Sequence, residues 1–320
     1  MVNESKKIFF LPVNTGYGVD SNPDQILIEF HEKRSGPHIH ASIVGNVVTP
    51  KGYGSNDVCL KISEHSAWKD LANAIKRKGS IAGIQLSSAW AGYRGIMNFV
   101  SKGRQLEDYK NKFSSIEESE IESIFLDFKH GIDLSIEHGF GHIQIHAAHG
   151  YLISLLIDSN FCDKYELARV RLSELVDYIN IKKCESSIRL SMRTGVQSID
   201  KFRSNDIKEI LKIRASYFDL SSGFYNINKN LIYPQTDSML KSRFIDSVRI
   251  CKEHKQKSFI LSGKSLQKFH QELPENARIG VCRDLIANPN FLLGHNEGCK
   301  NKKKCHYHSN GTKNLYCGSW

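Results

Sequence analysis

The sequence predicts an α/β fold, a (β/α)8 TIM barrel built as a single domain with a short cysteine-containing C-terminal tail, on three observations. Short apolar runs with strand character recur eight times along the chain. Helical patterns fill the intervals, giving strand–helix units over about 290 residues, an ordinary length for such a barrel. Residues able to do chemistry fall at the C-terminal ends of these runs, where barrels of this kind place their active sites. A doubly wound sheet is the other arrangement of alternating elements, but no run here leads into a G-x-G-x-x-G turn.

The expected strands are, in order, "KIFFL" (7–11), "IHASIVG" (39–45), "IAGIQL" (81–86), "HIQIH" (142–146), "SIRLS" (187–191), "YFDLS" (217–221), "SFILSG" (258–263) and "RIGV" (278–281). Helical periodicity covers "AWKDLANAIKRKG" (67–79), "EIESIFLDFKHGIDLSIEHG" (120–139) and "ARVRLSELVDYI" (168–179). The second of these places Ile121, Ile124, Phe125, Phe128 and Ile132 on one face. The barrel is expected over residues 1–293 and the tail, with its Cys/His cluster, over 294–320.

The chain has 320 residues, 40% hydrophobic and 24% charged, an ordinary globular balance. No apolar stretch is long enough to span a membrane. The apolar run after Lys6-Lys7 stops at Pro12, too short for a secretory signal, so a cytoplasmic protein is expected. Cys59, Cys162, Cys184, Cys251 and Cys282 are scattered like small core residues in a reducing compartment. The net charge of +10 is spread along the chain apart from the run 300–304. A solvated basic surface that also suits a phosphate-bearing cofactor is therefore preferred to nucleic-acid binding.

"HIQIHAAHGYLIS" (142–154) carries the sharpest signal. A zinc site needs three or four ligands, and His146-x-x-His149 supplies two with no H-E-x-x-H helix. A hydrogen-bonded structural pair is the bland alternative. The third reading has both histidines donating to a carbonyl oxygen while Tyr151 supplies a proton. Asn14, Gln85, Arg189, Gly263 and Arg283 also fall on or just after strands, and closure of a barrel would bring them to the same mouth.

"IQIHAAHGYLI" closely resembles a strand signature of the Old Yellow Enzyme family, FMN-dependent NAD(P)H oxidoreductases built on (β/α)8 barrels. Weaker likenesses follow in order: "FFLPVNTGYG", "EFHEKR" with "VGNVVTPKG", "IAGIQL", "ARVRL", "IRLS" and "RIGVCRDLIANPNFL". The resemblance implies that Gln85 bonds the pyrimidine end of FMN and that Arg189 lies at its N1/O2 edge. It implies that Asn14 and the backbone of Gly45 lie near C4=O and N5, with Pro12 shaping that loop. Ser262, Gly263 and Arg283 would hold the phosphate. His146 and His149 would bind the substrate carbonyl, and Tyr151 would be the general acid. NAD(P)H would be the hydride donor and a small molecule with an activated alkene the acceptor. Desaturation, the reverse reaction, uses the same residues.

Three departures stand out. The third strand usually continues Q-L-x-H-A-G-R, and here "QLSSAWAG" puts Ser88 in place of His and Trp90-Ala91 in place of Gly-Arg. Cys282 stands where Gly usually precedes the phosphate arginine, and the segment "DSNFCDKYELARVRL" is short. In the tail, Cys305-x11-Cys317 keeps one spacing of the cluster-binding pattern of longer relatives, while Cys299 breaks the others. Free thiols are preferred there to a 4Fe–4S cluster or to zinc held with His306 or His308. Two other functions are kept open: an FMN barrel reducing RNA uridines, and a degenerate flavin barrel that binds without turnover. The first lacks its cysteine-bearing catalytic loop here. Substrate identity, nicotinamide preference and oligomeric state have no readable signature.

Overall fold

The computed structural model describes residues 7–96, 98–264, 269–294, 297–300, 305–307 and 311–320. All eight expected strands form: β1 (Ile8–Phe10), β2 (Ala41–Val48), β4 (Ile81–Ser87), β5 (His142–Ala147), β6 (Glu185–Ser191), β7 (Tyr217–Ser221), β8 (Phe259–Leu261) and β9 (Ala277–Val281). A two-residue strand, β3 (Leu60–Lys61), is added outside the ring on β2. Every pairing is parallel, and β1 closes the cylinder by joining both β2 and β9, with Phe9 opposite Ala41 on one side and Gly280 on the other. The fold is a closed (β/α)8 barrel.

The helices form where the periodicity places them. Helix α2 (Ala67–Arg77) buries Trp68, Leu71, Ala72 and Ile75. Helix α4 (Glu118–Glu137) buries Ile121, Phe125, Phe128 and Ile132 and leaves Ile124 half-buried. Helix α6 (Tyr165–Ile181) buries Ala168, Leu172, Val176 and Ile179. Capping side chains set two other starts. Asp24 accepts from the Leu27 N–H at 2.8 Å before α1 (Gln25–Glu32), and Thr236 accepts from Met239 N–H at 3.3 Å before α10 (Asp237–Glu253). The stretch 91–112, which carries no readable signature, contains most of a further helix, α3 (Arg104–Phe113). Helix α5 (Leu152–Leu156) follows β5 directly, and α11 (Arg283–Ala287) follows β9.

Apolar side chains fill two compartments. Phe9, Leu11, Ala41, Ile43, Tyr217 and Ile260 pack inside the cylinder. A larger layer lies between strands and helices. At the N-terminal end of the barrel, Glu185 sits 2.8 Å from His40 Nε2 and 3.1 Å from His142 Nδ1. Lys7 donates to the Tyr217 hydroxyl at 2.8 Å beside them. These polar groups bind one another and leave the opposite, C-terminal end for chemistry.

The tail packs back on the barrel. Leu315 N–H donates to Thr15 O at 2.6 Å, Tyr17 O–H to Leu315 O at 2.7 Å, Asn56 Nδ2 to the Tyr307 hydroxyl at 3.0 Å, and Trp320 Nε1 to Ile286 O at 2.8 Å. Tyr307 and Leu315 are buried. No described helix is long and apolar enough to cross a membrane.

Candidate active site

The turn after β5 shapes the centre of the site. His149 and Gly150 adopt positive φ angles of 65° and 77° in succession. A Cβ at Gly150 would lie 3.1 Å from the Phe224 ring and 3.2 Å from the Tyr109 hydroxyl, so the close approach of these rings requires glycine. The less usual conformation at His149 is held by two backbone bonds. Its N–H donates to Ser191 Oγ at 2.9 Å, and its carbonyl accepts from Tyr225 N–H at 2.9 Å. The turn folds His149 edge-on to His146, with ring centroids 5.1 Å apart, and brings Tyr151 edge-on to the same ring at 4.8 Å.

All three side chains are buried. Burial holds both imidazoles well below the usual histidine range, and the guanidinium of Arg189 pushes the same way. Both are therefore neutral. His146 Nδ1 accepts from Ala148 N–H at 3.3 Å, which leaves the proton on Nε2 as a donor. His149 Nε2 lies 2.7 Å from Ser221 Oγ. Burial, with the neighbouring Tyr225 and Tyr93, holds the Tyr151 phenol well above its usual range, so it keeps its proton.

Strand register groups the expected flavin contacts. Gln85 pairs with Gln144 on adjacent strands, and the run His146, Arg189, Asp219 crosses β5, β6 and β7 on matching rungs. Gln85 Nε2 donates to Gln144 Oε1 at 2.5 Å, Gln144 Nε2 to Asp219 Oδ2 at 3.5 Å, and Arg189 Nε lies 3.3 Å from the same oxygen. The row runs amide–amide–carboxylate–guanidinium across the barrel interior. Arg189 Nε and Asp219 Oδ1 are buried without a well-aligned hydrogen bond, so the row is not saturated by the protein itself.

Pro12, Asn14 and Gly45 come together at the next edge. Val13 bridges to Gly45, and a Cβ at Gly45 would lie 2.9 Å from Gln85 Cβ and 3.2 Å from Pro12 Cβ. The two backbones thus approach each other and Gln85 too closely for any side chain. Asn14 Nδ2 donates to Cys59 Sγ at 3.5 Å.

Ser262, Gly263 and Arg283 lie at the ends of β8 and β9, the part of such barrels that commonly holds phosphate. Arg243 reaches the same place from α10 and donates to Ser262 Oγ at 2.5 Å. Burial pushes the Cys282 thiol up to about 12, so the residue in the usual glycine position is an uncharged group packed against the core. The unsaturated amide–guanidinium row, the glycine cradle at Gly45 and the cationic strand ends fit an FMN group: hydrogen-bonding ring edges at one end and a phosphate at the other.

Several residues of the mouth carry no sequence signal of their own. Tyr225 packs edge-on to His149 at 5.6 Å and lies 5.5 Å from Tyr151, and its hydroxyl is 2.5 Å from that of Tyr233. Tyr93 lies 5.9 Å from Tyr151. Asp219 and Ser221 could have been found from "YFDLS", because alternate residues of a barrel strand face inward. Ser88 takes no part in the histidine cluster: it accepts from Tyr53 N–H at 3.1 Å and donates to Ala89 O at 2.8 Å. Trp90 packs on Tyr93, Tyr109 and Phe113. Among the described residues no group of three or more His, Cys, Asp or Glu is placed to hold a metal ion. Cys299, Cys305 and Cys317 are half-buried, and His308 lies outside the described residues.

A closed barrel with these strand ends falls in the class of (β/α)8 oxidoreductases that work with a bound flavin. The chain belongs to the NADH:flavin oxidoreductase / NADH oxidase family, whose model matches residues 8–301. That match agrees with the likeness to Old Yellow Enzyme carried by "IQIHAAHGYLI". The chain is also similar to a protein of Oryza sativa subsp. japonica described as putative 12-oxophytodienoate reductase 4. The two are 27% identical over 176 residues, 50% of this chain and 46% of that relative. The match thus spans about half the length of the relative.

Proposed function

We propose that the protein is an FMN-dependent oxidoreductase that takes reducing equivalents from NAD(P)H and reduces an activated C=C bond in a small molecule. The observation that carries the reading is the cluster of neutral His146, neutral His149 and protonated Tyr151 beside the row Gln85–Gln144–Asp219–Arg189. Bound FMN would supply the two-electron chemistry that links oxidation of the nicotinamide to hydride addition at the alkene β-carbon. Gln85 and Arg189 would hold the ring edges, with Arg189 offsetting negative charge there. Asn14, Pro12 and the Gly45 backbone would line the ring, and Ser262, Gly263 and Arg283 would take the phosphate.

Toward the substrate, the two imidazoles donate to the carbonyl oxygen. Because both are neutral, they favour negative charge developing on that oxygen without giving up a proton. His146 donates through Nε2. Arg243 donates to Ser221 Oγ, which directs the serine hydroxyl proton toward His149 Nε2 and leaves His149 Nδ1–H as the donor to substrate. Tyr151 delivers its phenolic proton to the α-carbon. The rings of Tyr93 and Tyr225 flank Tyr151 on this side. A cytoplasmic setting fits the scattered placing of the core cysteines Cys59, Cys162 and Cys184. The test is anaerobic incubation with NAD(P)H and a cyclic enone. The product should gain two hydrogens by mass while nicotinamide is consumed one for one. Nicotinamide oxidation with the enone recovered unchanged would contradict the reading.

A further inference from the structure

Helix α10 carries a buried arginine that hydrogen-bonds to Ser221 and Ser262 and makes no hydrogen bond to a carboxylate among the described residues. Arg243 is 7% exposed. Its side chain runs to the C-terminal ends of β7 and β8. There Nη2 donates to Ser262 Oγ at 2.5 Å, Leu220 O at 3.2 Å and Ser221 Oγ at 3.3 Å, while Nη1 donates to Ile232 O at 3.5 Å. Every one of these acceptors is neutral. The carboxylate whose field reaches Arg243, Asp219, sits 3.3 Å from Arg189 Nε. Nε of Arg243 is buried with no hydrogen-bond partner. A guanidinium taken out of water without an anion is costly, and this one lies in the field of two more, Arg189 and Arg283.

The backbone of Gly263 lies close beside the unpartnered Nε. Gly263 has φ +85°, and a Cβ there would come within 3.3 Å of Arg243 Cδ and 3.5 Å of Nε. The backbone at the end of β8 therefore meets the guanidinium with no side chain between them. Burial, reinforced by Arg189, lowers the guanidinium to about 10, the direction that a bound anion would reverse.

We propose that Arg243 is an anion-binding arginine, completing with Ser262, Gly263 and Arg283 a seat for a dianionic phosphate monoester. On the reading of this site as a flavin site, that group is the terminal phosphate of FMN. An arginine at this point supplies a charge and a directional donor together. The competing role is a strut, in which the same bonds to Leu220, Ile232 and Ser262 merely tie α10 to the strand ends.

The experiment compares FMN with riboflavin, which lacks the phosphate, by fluorescence titration of flavin-free protein. The parent should bind FMN more tightly than riboflavin, and inorganic phosphate should compete with FMN. Arg243→Gln should weaken FMN binding about 10- to 100-fold, the range set by hydrogen bonds to charged groups. Riboflavin binding should change less than about twofold and so serve as the control for folding. Arg243→Lys, which keeps the charge and loses the directional donor, should fall between. Parallel weakening of FMN and riboflavin would show the strut role and overturn the proposal, as would an unchanged preference for FMN; the flavin reading would survive both. A parent protein that binds neither flavin would overturn that reading and this proposal with it.

Discussion

Tyr151→Phe removes one oxygen from the middle of the site and little else. The ring is 5% exposed and lies 4.8 Å from His146, 5.5 Å from Tyr225 and 5.9 Å from Tyr93. Phenylalanine keeps all three ring contacts, so stability should change by no more than about 1 kcal/mol. The chemistry should change far more. Loss of a general acid slows a step by about 10²–10⁴, or roughly 3–5 kcal/mol of barrier. Anaerobic stopped-flow separates the two half-reactions. Reduction of the flavin by NAD(P)H requires no proton from Tyr151 and should stay within about twofold of the parent, while reoxidation by an enone should fall by the full factor. Burial holds the phenol well above its usual range, so it remains protonated throughout the neutral range. The parent's reoxidation step should therefore show no loss from phenol ionisation up to about pH 9. A Tyr151→Phe variant that reduces a good enone at the parent rate would refute the assignment.

Further outcomes follow from the same geometry. His149→Ala should weaken binding of phenol-like carbonyl mimics, measured by their absorbance titration, and slow reoxidation by about 10²–10³ through loss of one donor to the developing charge. Gly45→Ala forces a Cβ to 2.9 Å from Gln85 Cβ; it should lower flavin content and cost about 1–3 kcal/mol in thermal unfolding. Changing Cys305 and Cys317 to Ser should leave flavin content and turnover nearly unchanged, and elemental analysis of anaerobically purified protein should find neither iron with sulfide nor zinc in stoichiometric amount. Partial burial pushes the Glu185 carboxyl up, but hydrogen bonds from His142 and His40 outweigh it and hold the group well below its usual range. Its stabilising contribution is thus complete above the unfolded pKa of about 4.3 and is lost as pH falls toward the folded value. Burial holds His142, His146 and His149 below the usual histidine range, so their contribution is lost as pH falls through about 6.5, where the unfolded chain takes up protons. Glu185→Gln should therefore lower Tm at neutral pH and flatten the acid limb below about pH 4, as read by thermal melts across pH.

The strands were legible because each is buried on both faces and reads as a short continuous apolar run. The two-residue β3 offers no pattern to read. Helix α3 was missed because "RQLEDYKNKF" is mostly polar and buries only Tyr109 and Phe113. In the site, "HIQIHAAHGYL" announced itself because the turn, the two donors and the proton source are consecutive. Gln144 sat inside a strand already assigned, and Asp219 could have been read from the alternation of "YFDLS" once one face of that strand was taken as the inner one. Arg243 was harder still. The segment "SRFIDSVR" carried no reading of its own, and in the structure Arg243 of it is buried toward the barrel mouth while Arg249 is exposed. Nothing in the sequence showed how the tail packs, and Tyr307, Leu315 and Trp320 pin it to the loop before β3, the loop after β1 and α11.

The visible spectrum of the purified protein, followed anaerobically as NAD(P)H and then an enone are added, tests the central claim most directly. The account predicts a yellow protein whose oxidised-flavin bands bleach with reduced nicotinamide and return with the enone, and which releases FMN on denaturation. A colourless protein that cannot be reconstituted with FMN, or a bound flavin that reduced nicotinamide leaves oxidised, would contradict it.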